Sequence, residues 1–133
     1  MNSENRRLNL TDELERAAEA LREARTLLDA DLPNGAVSRA YYAVFHLMRA
    51  AVISRGADPR THAGTLRLFN LHIARPGELP AFNKLVSGLQ RSRELADYEA
   101  TVSFTRDEAQ SLVSDAETFD SAVRALLARE GWT

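Results

Sequence analysis

Apolar residues along the chain recur every three or four positions, as they do on one face of a helix, and never alternate over a long stretch as in strands. Glycine and proline separate five such segments. The first segment is predicted to start with Thr11 as its N-cap and carries apolar residues at helical spacing as far as Leu28. The second is predicted from about Pro33 to Ser54, with Gly56 placed to end it.

Three further helices complete the prediction. Thr61 can cap a shorter third helix, and a fourth is predicted to begin near Leu79 and to end around Tyr98. The fifth opens with a capping box formed by Thr105 and Glu108. Five helices with short connections indicate an all-α protein, an up-and-down bundle of about five helices.

Length and composition indicate that residues 1–133 form a single globular domain, with 44% hydrophobic and 27% charged residues. The absence of cysteine excludes a disulfide scaffold, a thiolate zinc site and a cysteine nucleophile. No apolar stretch has the length of a membrane span or the form of a signal peptide, so we expect a cytoplasmic protein. Seventeen basic and nineteen acidic residues give a net charge of −2, so only a local patch could attract nucleic acid.

The second predicted helix has two unlike faces. One is an ordinary core-facing stripe that runs from Val37 to Val52. The opposite face carries a mixture of tyrosine, arginine, histidine and isoleucine, namely Ser38, Arg39, Tyr42, His46, Arg49 and Ile53. Such a face either packs against a neighbouring helix or forms a dimer interface or nucleotide site, because interfaces are enriched in tyrosine and arginine.

Arg39 and His46 are seven residues apart, which is two helical turns, so their side chains share a face. An arginine and a histidine facing one groove could cleave RNA without a metal ion. The histidine would take the proton of the 2′-hydroxyl, and the arginine would stabilise the charge that develops on the phosphorane. The alternative is a histidine that only makes a structural hydrogen bond.

The fourth predicted helix places an arginine in an apolar stripe, which consists of Leu79, Phe82, Val86, Leu89, Arg93 and Ala96. Burying the charge of Arg93 is unfavourable unless the charge is paired. Asp97 lies one turn further on and can supply the counter-charge, with Tyr98 beside it. The arginine therefore either forms a structural pair that orders the helix end or is held in a groove to bind phosphate.

The three histidines are scattered, and no pair has the spacing of metal ligands on a helix, so we expect no metal site. We also expect no cofactor, because the chain has neither a phosphate-binding glycine loop nor a nucleophile elbow. Gly64, two residues after His62, lowers helix propensity near a helix start and predicts the close approach of another backbone.

Four segments together resemble the HEPN family of helical, nucleotide-binding domains, especially its small stand-alone prokaryotic members. They are Ser38-Arg39-Ala40-Tyr41-Tyr42-Ala43-x-Phe45-His46, Thr61-His62-x-Gly64 with Phe69, Arg93-x-x-Ala96-Asp97-Tyr98, and Thr105-x-x-Glu108-Ala109. The resemblance covers roughly residues 10–127. It implies a helical bundle that forms a two-fold homodimer. Many members of the family are metal-independent endoribonucleases that act as toxins or in antiviral defence, often encoded beside a nucleotidyltransferase that serves as antitoxin.

The resemblance also implies where a catalytic site would lie. Members that cleave RNA carry an arginine, four to six residues and a histidine, usually on a late helix, which here points to Arg93. Asp97 and Tyr98 follow that arginine and no histidine does, whereas Arg39 and His46 have the required spacing on an earlier helix. An aspartate is a poor proton carrier near neutral pH unless its pKa is raised.

Three functions are compatible with these residues. The first is a dimeric, RNA-cleaving toxin that uses Arg93 with His46 or Asp97 from either protomer. The second is a non-catalytic nucleotide-binding or adaptor module that works with a nucleotidyltransferase partner, which could attach a nucleotide to Tyr98 or Tyr42. The third is a structural dimer in which the polar face of the second helix is only an interface.

Overall fold

A computed structural model describes residues 2–79, 83–98 and 103–133, without the side chains of residues 83–87 and 96. Over these ranges the chain is all-α, as predicted. It forms five α-helices and no strand: α1 (Ser3–Asp29), α2 (Pro33–Ser54), α3 (His62–Phe69), α4 (Asn83–Tyr98) and α5 (Arg106–Arg129). A π-helical turn, Asn70–Ala74, continues α3. None of the helices in these ranges is apolar over a length sufficient to cross a membrane.

The second helix, α2, is the centre of the bundle. More than half of its 22 residues are buried, and it packs against α1, α3, α4 and α5. Many buried residues of α1 and α2 are alanines, including Ala17, Ala24, Ala36 and Ala40 at 0% exposure. Small side chains at a helix contact allow the two axes to approach closely, so this pair forms the most extensive contact in the bundle.

The first helix is longer than predicted, because it begins at Ser3 and not after Thr11. The guanidinium of Arg6 donates to the backbone carbonyls of Ile53 at 3.0 Å and Gly56 at 2.8 Å, at the end of α2. These bonds hold the first turns of α1 against α2. The prediction for Thr11 was wrong because an earlier cap starts the helix: the side chain of Asn2 accepts from the N–H of Asn5 at 2.8 Å.

The turns around α3 follow local rules. Gly56 ends α2 as predicted: its φ is +85°, and the N–H of Ala57 donates to the carbonyl of Val52 at 3.3 Å. Thr61 caps α3 by accepting from the N–H of Gly64 at 2.9 Å. A Cβ at Gly64 would lie 2.8 Å from Oγ1 of Thr61. The glycine therefore leaves room for the capping hydroxyl, and the predicted approach of another backbone was wrong.

The fourth helix begins at Asn83, later than the predicted Leu79, and ends at Tyr98 as predicted. Leu79 is nevertheless buried at 8% exposure and is part of the hydrophobic core. Leu89 of the predicted stripe is buried as well. Three other members of that stripe, Phe82 and the side chains of Val86 and Ala96, lie outside the described residues.

The fifth helix opens with the predicted capping box. The N–H of Glu108 donates to the Thr105 hydroxyl, and the N–H of Thr105 donates to the Glu108 carboxylate, both at 3.1 Å. Its buried face includes Phe119, whose ring meets that of Phe69 edge to face at 5.8 Å between centroids. This contact joins α5 to α3 in the core.

Replacing Arg6 by alanine is expected to lower the free energy of unfolding by about 1–2 kcal/mol, because the end of α2 loses a charged hydrogen-bond donor. Urea denaturation followed by circular dichroism measures this change. Arg22→Ala, at an exposed position of the same helix, is the control and should stay within about 0.5 kcal/mol of the wild type. Equal effects of the two substitutions would show that Arg6 has no special part in holding α1 to α2.

Candidate functional site

Arg93 of α4 lies among three tyrosine rings. Its guanidinium carbon is 5.2 Å from the ring centre of Tyr41, 5.6 Å from Tyr42 and 5.5 Å from Tyr98. Nη2 of the arginine donates to the Tyr42 hydroxyl at 3.3 Å. A cation over an aromatic face is attracted to it electrostatically, so the rings fix the guanidinium in place. Only 17% of the side chain is exposed.

Arg93 also forms the predicted pair with Asp97. Nε of the arginine lies 3.1 Å from Oδ2 of the aspartate, yet Nε is buried and makes no hydrogen bond to the described residues. The pair is therefore held by charge and not by an aligned hydrogen bond. The Ser38 hydroxyl donates to the same Oδ2 at 3.4 Å. Burial opposes the charge of Arg93, but the bond to Tyr42 and the nearby Asp97 outweigh it and raise the pKa, so the arginine stays charged.

His62, the first residue of α3, belongs to the same group of side chains. Its Nδ1 lies 3.0 Å from the Tyr41 hydroxyl. Its ring stacks on Phe45 with the ring centres 4.1 Å apart and the planes within 8°. The residue as a whole is exposed to solvent. Sequence reasoning gave His62 no role, although Tyr41 and Phe45, four residues apart, form one helix face on which a ring can stack.

The electrostatic surroundings keep His62 neutral. Burial lowers its pKa, and the charges of Arg93, Arg49 and His46 lower it further. Its place at the positive end of α3 acts in the same direction. Near pH 7 the imidazole is therefore uncharged and able to accept a proton. Burial raises the pKa of Tyr41, so its hydroxyl also stays uncharged.

A second cluster forms around Glu13 of α1. Its Oε2 accepts from Nδ1 of His46 at 2.6 Å, and its Oε1 accepts from Nε of Arg49 at 2.8 Å. The Glu13 side chain is only 13% exposed. Burial by itself would raise the pKa of Glu13, but the bonds from His46 and Arg49 outweigh it and lower the pKa. Nδ1 of His46 carries a proton in this bond, because the carboxylate can only accept.

The structure divides the eight predicted site residues between these two clusters. Two of them, His46 and Arg49, bind Glu13. The other six belong to the cluster on α2 and α4. Arg93 is its centre, Asp97, Tyr42 and Tyr98 contact it, Ser38 contacts Asp97, and Arg39 contacts Tyr42. Arg39 lies with its guanidinium carbon 4.4 Å from the Tyr42 ring centre and its Nη1 3.6 Å from Glu23 of α1.

The predicted pairing of Arg39 with His46 in one groove does not form. Arg39 contacts Glu23 and His46 contacts Glu13, and these two carboxylates are separated by about 15 Å along α1. Ile53, the last residue of the polar face of α2, is buried as well, at 3% exposure. In this part of α2, His46 and Arg49 therefore contact the neighbouring helix α1 through Glu13.

Comparisons with known proteins agree with the fold. The chain matches the family model of the HEPN domain over residues 11–126. It is 32% identical over 115 residues to "Putative toxin MJ0605" from Methanocaldococcus jannaschii, and the aligned region covers 86% of this chain and 85% of that protein. It is 33% identical over 120 residues to UPF0332 protein glr0978 from Gloeobacter violaceus, and the aligned region covers 89% of this chain and 95% of that protein. "Putative toxin MJ0142" from M. jannaschii is 27% identical, with coverage of 80% and 73%.

Replacing Glu13 by glutamine is expected to lower the free energy of unfolding at pH 7 by about 2 kcal/mol, because two donors lose their charged acceptor. The folded-state pKa of Glu13 lies below its usual 4.5. The carboxylate therefore stabilises the fold fully above pH 4.5, and this contribution is lost as the pH falls through the folded-state value. Urea denaturation at several pH values should show that the free energies of unfolding of the wild type and the variant become equal in acid. Glu15→Gln, at an exposed position of α1, is the control, and a difference that persists in acid would contradict the pairing.

Proposed function

The chain belongs to the HEPN family, and we propose that it is a toxin that cleaves RNA without a metal ion, with Arg93 at the scissile phosphate. The single observation that carries the proposal is the position of two side chains around Tyr41. The guanidinium of Arg93 lies 5.2 Å from the Tyr41 ring centre, and Nδ1 of His62 lies 3.0 Å from the Tyr41 hydroxyl. A cation that can bind phosphate and a side chain that can accept a proton thus both contact the same residue, Tyr41. The names of two relatives favour a toxin.

The proposed reaction uses the RNA's own 2′-hydroxyl as nucleophile. Its oxygen attacks the adjacent phosphorus, and its proton passes to Nε2 of His62. The bond from phosphorus to the 5′-oxygen breaks, and that oxygen takes up a proton from water. The products are a 2′,3′-cyclic phosphate and a 5′-hydroxyl. Arg93 stabilises the negative charge that builds up on the non-bridging oxygens. The reaction requires the His62 tautomer in which Nδ1–H donates to the Tyr41 oxygen, because this tautomer leaves the lone pair of the imidazole on Nε2.

His62 suits this role better than the two candidates named from the sequence. The Asp97 carboxylate is occupied by Arg93 and Ser38. His46 is held by Glu13 on α1. His62 is exposed, neutral near pH 7 and oriented by a hydrogen bond, as a proton acceptor at the surface needs to be.

A second candidate function is a non-catalytic nucleotide-binding module that works with a nucleotidyltransferase. The observation that favours it is Tyr98, which is 71% exposed and whose ring centre is 5.5 Å from the guanidinium carbon of Arg93. A nucleotide on this hydroxyl would place its phosphate beside the arginine. Calorimetric binding of a nucleotide by a protein that leaves RNA intact would favour this function. The homodimer and the nucleotidyltransferase partner stay predictions.

Induced expression of the wild type is expected to arrest growth and degrade cellular RNA, and Arg93→Ala should abolish both effects, because the phosphate loses its cation. The purified wild type should cut RNA in the presence of EDTA, and Arg93→Ala should slow the reaction at least about 100-fold. Arg91→Ala removes the same charge from an exposed position two residues away and should behave as the wild type. Healthy cells and uncut RNA with the wild type would rule out the nuclease.

His62→Gln is expected to lower kcat by about 10²–10⁴-fold, because the proton acceptor is removed. The acceptor must be neutral, so the wild-type rate should rise with pH through the lowered pKa of His62 and be level near pH 7. The variant should lose this rise. Initial rates between pH 4 and pH 8 test the prediction, with His72→Gln in the π-helical turn as control. If His46→Gln removes the rise instead, the proton acceptor is His46.

A further inference from the structure

A groove runs between α3 and α4, and its origin lies in how these helices pack. Both lie against α2, and over the described residues they barely touch each other. The space between them has a volume of about 580 Å³. Its described lining includes Leu66, Arg67, Leu71 and Arg75 from α3 and the π-helical turn, and Gln90 from α4.

The charge of this groove is opposite to that of the chain as a whole. Arg67 and Arg75 are both exposed, and the described residues that line the groove include no carboxylate. Within the described part of the chain neither arginine forms a salt bridge, although the net charge of the protein is −2. Leu71 is 49% exposed and lies between the two arginines in sequence. Exposed apolar surface beside unpaired guanidinium groups suits the bases and phosphates of a nucleic acid.

The π-helical turn aligns these residues. On a continuous α-helix, side chains four residues apart drift by about 40° around the axis. A π turn holds more residues than an α turn, so each residue turns through a smaller angle, and the drift is reversed between Leu71 and Arg75. The smaller drift keeps Arg67, Leu71 and Arg75 on one side of this element, and all three line the groove.

The groove and the candidate site are carried by the same two helices. His62 directly precedes Ala63, which is also part of the lining, and Gln90 lies one turn before Arg93 on α4.

We propose that this groove binds a single-stranded RNA segment adjacent to the scissile bond, with phosphates on Arg67 and Arg75 and bases against Leu66 and Leu71. The assignment of RNA rests on the proposed function. A single strand is favoured because its bases are free to contact apolar side chains, whereas those of a duplex are stacked and paired.

The test measures binding separately from cleavage. The probe is a fluorescent 12-nucleotide RNA with every 2′-hydroxyl methylated, which cannot be cut by attack of that hydroxyl, and fluorescence anisotropy gives its Kd at several salt concentrations. Arg67→Ala/Arg75→Ala should weaken binding about tenfold or more. It should also reduce the magnitude of the slope of log association constant against log salt concentration by about 1.4, because two phosphates of a single strand lose their contacts. Arg22→Ala/Arg129→Ala removes the same charge from exposed positions of α1 and α5 and should leave both values unchanged.

Leu71→Glu provides a second, single-site variant. It places a carboxylate at an exposed position and should weaken binding by repelling phosphate. Circular dichroism melting should show that all these variants remain folded.

Several outcomes would overturn the groove assignment: no binding of the probe by the wild type, an equal loss in the two double variants, or equal binding of the same strand as a duplex. Binding that depends on Arg67 and Arg75, together with an unmodified RNA that stays uncut, would keep the groove and reject the nuclease.

Discussion

The burial of α2 is the constraint on which the rest of the structure depends. Other helices pack against it on several sides, so the polar side chains that it carries must find partners within the bundle. The first helix supplies Glu13 to His46 and Arg49, and the third supplies His62 to Tyr41. The fourth supplies an arginine and an aspartate. The candidate site is therefore the place where a central helix has its polar groups satisfied by its neighbours.

The apolar stripe of α4 can include Arg93 because the arginine packs against rings and not against hydrocarbon. Aromatic faces stabilise the guanidinium without neutralising it, and Asp97 supplies one counter-charge from the next turn. The sequence left two explanations for this arginine, a structural pair or a phosphate-binding group. The pair is present, and the same geometry holds the guanidinium near His62, so the two explanations are compatible.

In the proposed site the arginine and the histidine come from different helices. Asp97 follows Arg93 on α4 and no histidine does, whereas His62 of α3 contacts Tyr41, whose ring lies beside the arginine. Tyr41 is the link between them, since its ring lies beside one group and its hydroxyl beside the other. The π-helical turn extends the same element, and residues of both line the groove beside α4, so one element contributes both a candidate proton acceptor and a candidate binding surface.

The sequence by itself determined the helix count and most helix ends, because caps and glycine stops act within a few residues. Thr61, Gly56 and the capping box at Thr105 were predicted for this reason and are confirmed. It also placed Arg93 beside Asp97, since both lie on one helix a turn apart. Only the tertiary structure decided that Arg39 and His46 contact separate carboxylates and that His62 reaches Tyr41. Those outcomes depend on how helices cross, and the residues that meet at a crossing are too far apart in sequence to leave a periodic signal.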